Sequence, residues 1–498
     1  MSFVSKLVCT ECGNELDRKS TRTRCDRCGG VLQAKYDWNH VQEGISKGNL
    51  QCLPTTLWKY KEFLPVTAEM KTITLGEGGT PLHVSERLAS TIGCAKLYLK
   101  DETANPTGSF IDRGTAVEIS VARDLGNVSI HCTSSGNLAA SLVAYAARAA
   151  IRSTIHLPRN RKMDMGKLYQ IVAFGAELEV SRDYQEAMRE AKEREIHSRI
   201  LEADNPWFLE GLKTTGYEIC DQLDWSVPDW LIVPVGSGGH VSMIWKGLKE
   251  LHTLGFIDRL PRLVGTQAEE CAPIVDAFNK GSEVIETPTG VSEVAMDISM
   301  RNPSCGKLAL HALNESNGLA LSVPDDDMLA AVGELAKKEG VFAEPASATT
   351  LVALRQLCEE GTIAPDSTIV CVITGMGLKY PEVARELVKG ERKLRNILNQ
   401  VEHRKYTTKL GRSKISILKL LAEGESYGYQ IWKDLANQFG IEIRVATVYQ
   451  HLKDLEEEGL LTSTKIEQVP RKTKYYHLTE KGQWALEKLG KFEETGRL

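Results

Sequence analysis

The sequence predicts a multidomain protein with a parallel α/β body, set between a short metal-held module and a C-terminal module of helices and strands. Three observations carry this. The 498 residues exceed what one hydrophobic core organises, so roughly two to four domains are expected. From about 55 to 385, β-branched apolar runs such as WLIVPVG and STIVCVITG alternate with helical patterns such as LAASLVAYAARAA, as strands and crossover helices of a parallel sheet do. Paired cysteines precede that stretch, and a basic, irregular stretch (KGERKLRNILNQVEHRKYTTKLGRSK) follows it. The expected division is 1–50, 51–385, a basic linker over 386–412, and 413–498.

Composition narrows the class. With 42% hydrophobic and 26% charged residues, the chain reads as globular rather than disordered or fibrous. Its start, MSFVSKLVCTEC, lacks the roughly 7–15-residue apolar run of a signal peptide. No stretch approaches the about 18 uncharged apolar residues that span a bilayer, so a cytoplasmic protein with no membrane partner is expected. Net charge is −5, yet residues 391–498 hold 20 Lys/Arg against 15 Asp/Glu, which leaves the rest near −10. This segregation points to an anionic partner for the C-terminal part. There is no tandem repeat or low-complexity tract.

Twelve cysteines are few for a disulfide scaffold of this length. Eight lie scattered in apolar context and read as reduced, buried thiols. The other four, Cys9-x2-Cys12 and Cys25-x2-Cys28 with twelve residues between the pairs, have the spacing by which four thiolates close a tetrahedron around Zn²⁺. Gly13 and Gly29 follow the two knuckles, where backbone amides turn toward the sulfurs. Four unligated buried cysteines are the plain alternative, but a module this short has little core without metal. A complete thiolate shell leaves no open position, so the zinc is expected to be structural.

In the body, Gly236, Ser237, Gly238, Gly239 and His240 follow the apolar strand LIVPV and open a helix. Backbone N–H groups at such a junction can cradle a phosphate, and a tight strand-to-helix turn is the bland alternative.

At the C-terminal end, residues 414–422 (KISILKLLA), 427–439 (YGYQIWKDLANQF) and 445–459 (VATVYQHLKDLEEEG) have helical periodicity with short Gly-containing connections. In the third, Val448, Leu452 and Leu455 share one face, leaving Thr447, Gln450 and Lys453 outward, where a recognition helix meets base edges. Two strands, LLTSTKIEQV and TKYYHLT, joined by Pro-Arg-Lys, would form a wing bearing Arg471, Lys472 and Lys474. Tyr475 and Tyr476 read as strand-core aromatics. The basic wing and linker favour DNA as partner over a purely protein-binding or dimerising use.

Two resemblances extend these readings. The segment LKDETANPTGSFIDRG (99–114) resembles the motif in which Ser-Phe-Lys-Asp-Arg-Gly carries a Schiff-base lysine, and here Ile111 stands at the lysine position. Ser134-Ser-Gly-Asn137, Pro234-Val-Gly-Ser-Gly-Gly-His240 and Thr374-Gly-Met-Gly-Leu-Lys379 follow in family order. Over roughly 5–385 the chain resembles the threonine synthase family, zinc-ribbon-like start included. That implies a fold-type-II, tryptophan synthase β-like, two-lobed domain for pyridoxal phosphate. It also implies that Asn137 bonds the ring hydroxyl, Thr374 faces the ring nitrogen and the 236–240 loop holds the phosphate, with His240 replacing the usual asparagine or threonine. The last 85 or so residues resemble PadR-like winged-helix regulators, notably in Tyr427-Gly-Tyr429, Thr447-Val-Tyr449 and Lys474-Tyr-Tyr-His-Leu-Thr-Glu-Lys-Gly482.

Ile111 can neither capture an aldehyde nor shuttle protons as the lysine does. Lys100, Lys162, Lys167 and Lys213 lie in other motifs and are not expected to stand in for it. A second departure follows. Where the family stretch grips the substrate phosphate with asparagine, serine and arginine, this chain has Glu202, Ala203 and Phe208, so phosphohomoserine should bind poorly. The expectation is a catalytically inactive, metabolite- or pyridoxal-phosphate-responsive DNA-binding transcription regulator, working as a homodimer. Its pocket would keep pyridoxal phosphate without a covalent bond, an amino acid, or another metabolite. The alternative is an active threonine synthase, converting phosphohomoserine to threonine, or a related lyase, with an appended regulatory winged helix.

Overall fold

The computed structural model describes residues 3–38, 45–159, 164–193, 198–388, 410–468 and 471–486. The side chains of 192–193, 386, 388, 465–468 and 471–473 lie outside that description, as do Lys162 and most of the expected basic linker. Two compact units form, over 1–387 and 388–498.

The first unit opens with three short antiparallel strands, β1 (Val4–Cys9), β2 (Glu15–Asp17) and β3 (Leu32–Tyr36), in the order β2-β1-β3. Positive φ at Gly13 (69°) and Gly29 (74°) turns the chain after each cysteine pair, a conformation that residues with a Cβ rarely adopt.

The body holds two sheets. β4 (Leu82–Val84) and β5 (Lys96–Asp101) begin the larger one; β6 (Ser129–Cys132), β7 (Arg152–Pro158), β8 (Glu177–Ser181) and β9 (Ser198–Ile200) make the smaller. β10 (Trp230–Pro234), β11 (Arg262–Ala268), β12 (Leu319–Val323) and β13 (Thr368–Ile373) complete the larger. The orders are β12-β11-β10-β13-β5-β4 and β8-β7-β6-β9. Pairing is parallel throughout except for the edge strand β4. Helices cover both faces, so β10 can be apolar along its whole length, with every residue of WLIVP buried, and β13 nearly so. β6, β10 and β13 end in the motifs at Thr133–Asn137, Gly236–His240 and Thr374–Lys379, which puts all three at the carboxyl ends of parallel strands, where open α/β sheets bind ligands.

The cysteine reading needs one correction. Of the eight outside the metal spacing, six are buried, but Cys52 is exposed and Cys358 half-buried. Cys52 sits at the end of a short polar helix, Lys47–Gln51, with only Leu50 buried.

In the second unit, helices Arg412–Glu423, Gly428–Phe439 and Val445–Glu457 pack with a three-stranded antiparallel sheet of β14 (Ser426–Tyr427), β15 (Leu461–Gln468) and β16 (Arg471–Leu478), ordered β14-β16-β15. Ile417, Leu421, Ile431, Leu435, Val448, Leu452, Leu455 and Tyr476 form its core. The expected Pro-Arg-Lys turn is shifted: β16 begins at Arg471, so Arg471 and Lys472 stand in the strand itself. Full β15–β16 pairing from Leu461↔Leu478 to Gln468↔Arg471 explains the shift, since the ladder takes in Arg471 and Lys472.

Candidate functional site

The four sulfurs of Cys9, Cys12, Cys25 and Cys28 lie within 4.8 Å of one another. Cys9 and Cys28 are 3.4 Å apart and Cys12 and Cys25 3.7 Å. Burial works against ionisation of Cys25, yet the N–H groups of Arg27 and Cys28 and the thiols of Cys12 and Cys9 bring it down to about 6. Such a cluster could bind zinc. Its module is tied to the body: Arg24 pairs with buried Asp204, Tyr36 donates to Glu210 at 2.8 Å, and Lys307 meets Glu11 at 2.7 Å.

At the carboxyl ends of the strands lies a cavity of about 760 Å³. Ile111, Asn137, Gly236, Ser237, Gly238, His240 and Thr374 all line it, so segments far apart in sequence converge there. Gly239 stands just behind, as first residue of the helix Gly239–Thr253. Ile111 begins the helix Ile111–Asp124, and backbone bonds clamp that end to the Thr374 turn: Phe110 N–H to Thr374 O (3.0 Å) and Met376 N–H to Gly108 O (2.9 Å).

Around Asn137 lies a buried polar network that sequence reasoning missed. The amide nitrogen of Asn137 donates to Asp297 (2.9 Å) and to Glu344 (3.1 Å), and its oxygen accepts from Lys379 (2.8 Å). Glu344 also accepts from the Thr374 hydroxyl at 2.6 Å, so one carboxylate bridges Asn137 and Thr374. Burial and the neighbouring Asp297 raise Glu344 to about 7. Asp297 itself is held below the usual carboxylate range: burial opposes ionisation, but Lys167, at 2.7 Å, outweighs it. Lys379 is pushed down to about 8 by burial, against the pull of Asp112 and Glu344. Of the lysines weighed from sequence, Lys100 is locked to Glu218 (2.8 Å), Lys167 to Asp297 and Lys213 to Glu210 (2.6 Å).

The loop is shaped by close approach. A Cβ on Gly236 would come within 2.8 Å of the Asp297 carbonyl oxygen, and one on Gly238, at φ +91°, within 2.6 Å of that of Cys305. The N–H groups of Gly236, Ser237 and Gly238 have no protein acceptor among the described residues. His240 stacks on Phe110 with ring centres 3.9 Å apart. Burial lowers His240 to about 3, so its ring is neutral at physiological pH. Nε2 is 3.1 Å from the Thr215 hydroxyl, while buried Nδ1 has no hydrogen-bond partner among the described residues.

Glu202, Ala203 and Phe208 line the same cavity. Phe208 is 1% exposed and its ring presses on Gly114, where a Cβ would come within 2.6 Å.

In the C-terminal unit Val448, Leu452 and Leu455 are buried, as the pattern requires. Gln450 and Lys453 are exposed, although Gln450 bonds Asp454 (2.8 Å) and Lys453 approaches Glu457 (3.7 Å). Thr447 is half-buried rather than outward. Lys474 pairs with Glu456 at 2.7 Å and folds back onto the unit. Tyr476 is buried and Tyr475 half-buried. Arg471 and Lys472 contribute backbone to β16, and their side chains lie outside the described residues.

Comparison with known proteins fits this geometry. The model of the family described as pyridoxal-phosphate-dependent enzyme matches residues 73–375. The chain belongs to that family. Threonine synthase of Methanocaldococcus jannaschii is 42% identical over 76% of this chain and 93% of its own length. That of Methanosarcina acetivorans is 41% identical over 76% and 92%. Residues 417–488 match the family described as transcriptional regulator PadR-like. Among solved structures, maize serine racemase superposes with TM-score 0.54 at 20% identity, over 62% of this chain and 92% of that one. A fungal L-serine ammonia-lyase from Rhizomucor miehei gives 0.54 at 18%, over 64% and 99%; at such identities the likeness is one of fold.

Membership of the pyridoxal-phosphate family implies that cofactor, and the residues fit most of it. Open N–H groups at Gly236–Gly238 and the unpartnered Nδ1 of His240 suit a phosphate. Asn137 and Thr374 suit a ring edge, although Glu344 now engages both. What is missing is an amine at position 111. No helix among the described residues is long and apolar enough to cross a membrane.

Proposed function

We propose that this chain is a ligand-responsive, DNA-binding transcription regulator built on a threonine-synthase-like scaffold that no longer catalyses. The observation that carries the proposal is Ile111 in the cavity wall, at the head of the helix where the family motif places its lysine. Bound pyridoxal phosphate brings an aldehyde and an electron-withdrawing ring, and a hydrocarbon side chain cannot bond to that aldehyde. The chain's own residues would hold the ligand non-covalently: the Gly236–Gly238 amides and His240 at the phosphate, Asn137 and Thr374 at the ring. Glu202 and Phe208 in the lining disfavour a second phosphate, which argues against phosphohomoserine. The PadR-like unit supplies the DNA-binding function, as a homodimer.

The test combines two measurements on the purified full chain. Phosphohomoserine should yield no free phosphate in the presence of pyridoxal phosphate, and duplex DNA should be bound with affinity that falls steeply with salt. Phosphate release would overturn the non-catalytic reading.

A second reading, an active threonine synthase or related lyase under winged-helix control, is favoured by the 42% identity to the threonine synthase of Methanocaldococcus jannaschii and by the buried polar network around Asn137. It requires turnover, so the same phosphate assay separates the two.

A further inference from the structure

The smaller sheet carries a second cluster of metal-ligating groups, independent of the cysteines and of the cavity chemistry. We propose that His156, Glu179 and Glu190 bind a divalent first-row transition metal ion of the zinc class. His156 on β7 and Glu179 on β8 are direct partners in the parallel register, so their side chains leave the same face of the sheet. Glu190 reaches that face from the helix Tyr184–Glu193. His156 Nδ1 lies 3.4 Å from a Glu179 oxygen and 4.0 Å from a Glu190 oxygen, and the three ligand atoms lie within 4.8 Å of one another. Ligands at about 2.1 Å from one tetrahedral ion stand roughly 3.4 Å apart, so small side-chain rotations close the shell.

Three features separate this cluster from an ordinary surface pair. First, the imidazole is fully buried, while Glu179 (29% exposed) and Glu190 (33%) open to solvent, which gives an ion both a rigid anchor and an entry path. Second, the other ring nitrogen of His156 is 3.1 Å from Nδ1 of His131, which sets the ring orientation and keeps Nδ1 aimed at the carboxylates, as outer partners of metal-bound histidines do. The Ser181 hydroxyl similarly donates to Glu190 at 2.6 Å. Third, two carboxylates converging on one buried nitrogen repel each other, and a dication offsets both charges where one proton offsets a single charge. Imidazole with carboxylate selects zinc-class ions over magnesium or calcium, which prefer all-oxygen shells.

The site would fasten the edge strand β8 and the helix Tyr184–Glu193 to β7. Tyr184 and Met188 of that helix line the ligand cavity, so the ion would stiffen one of its walls.

Metal analysis of the full chain, equilibrated with zinc and desalted, tests this. Two zinc ions per chain are expected, one in the cysteines and one here, falling to one in the Glu179→Gln/Glu190→Gln double variant. Cobalt substitution should add weak visible bands of nitrogen–oxygen ligation to the intense thiolate bands, and the double variant should lose only the former. Glu190→Gln alone, on a part-exposed helix position, serves if the double variant misfolds, with cobalt affinity at this site falling by about 100-fold. One zinc per chain in the parent, or a stoichiometry and cobalt spectrum unchanged by both variants, would overturn the proposal.

Discussion

The proposed loss of catalysis turns on one side chain, Ile111, yet a lysine placed there would not be enough. Glu202, Ala203 and Phe208 line the same cavity, and they offer a phosphate one carboxylate and no cation. Ile111→Lys alone is therefore expected to release no phosphate from phosphohomoserine; turnover in that single variant would show the second departure to be harmless. Glu344 gives a test by pH. It titrates near 7 in the fold, against about 4.3 in an unfolded chain. Between those values the folded state keeps a proton that the unfolded state has released, so stability falls as pH rises from about 4.3 to 7 and is level beyond. Glu344→Gln stays neutral throughout. Its unfolding free energy, read by denaturant melts, should exceed the parent's at pH 8 by an amount on the order of 3 kcal/mol and converge with it near pH 4.5. Ile111 and Phe208 were legible because each stands inside a recognisable motif. Glu344 and Asp297 were not, and Lys379, although it closes the Thr374–Lys379 motif, gave no sign of its partner: each comes from a different segment, and only the fold reveals that they share one amide.

Among elements, those with long periodic patterns were legible and those set by pairing were not. The third helix of the C-terminal unit declares itself through Val448, Leu452 and Leu455. β14, two residues long, carries no period and exists because Ser426 and Tyr427 meet Tyr476 and Tyr475. The wing turn was misplaced by two residues for the same reason, since strand register rather than composition fixed its ends. If β16 still faces phosphate, replacing Arg471 and Lys472 by alanine should weaken DNA binding on all sequences and lower the slope of log affinity against log salt by about 2, measured by anisotropy titrations at several salt concentrations. Lys474→Ala should change that slope less, because its ammonium is already paired with Glu456.

Across the molecule, charge and fold divide together: the excess of negative charge falls in the body and the positive excess in the last 108 residues. The cysteine module is not a detached appendage. Arg24, one residue before Cys25, pairs with Asp204, and both side chains line the ligand cavity. Replacing Cys9 and Cys12 by serine should therefore weaken pyridoxal phosphate binding, read by equilibrium dialysis, although neither cysteine lies in the cavity lining. An unchanged affinity would show that Arg24 holds its place without the ion. Through that one guanidinium, a cell short of zinc would alter the grip of a site more than a hundred residues along the chain, so nutrient metal and small metabolite would be weighed by the same polypeptide.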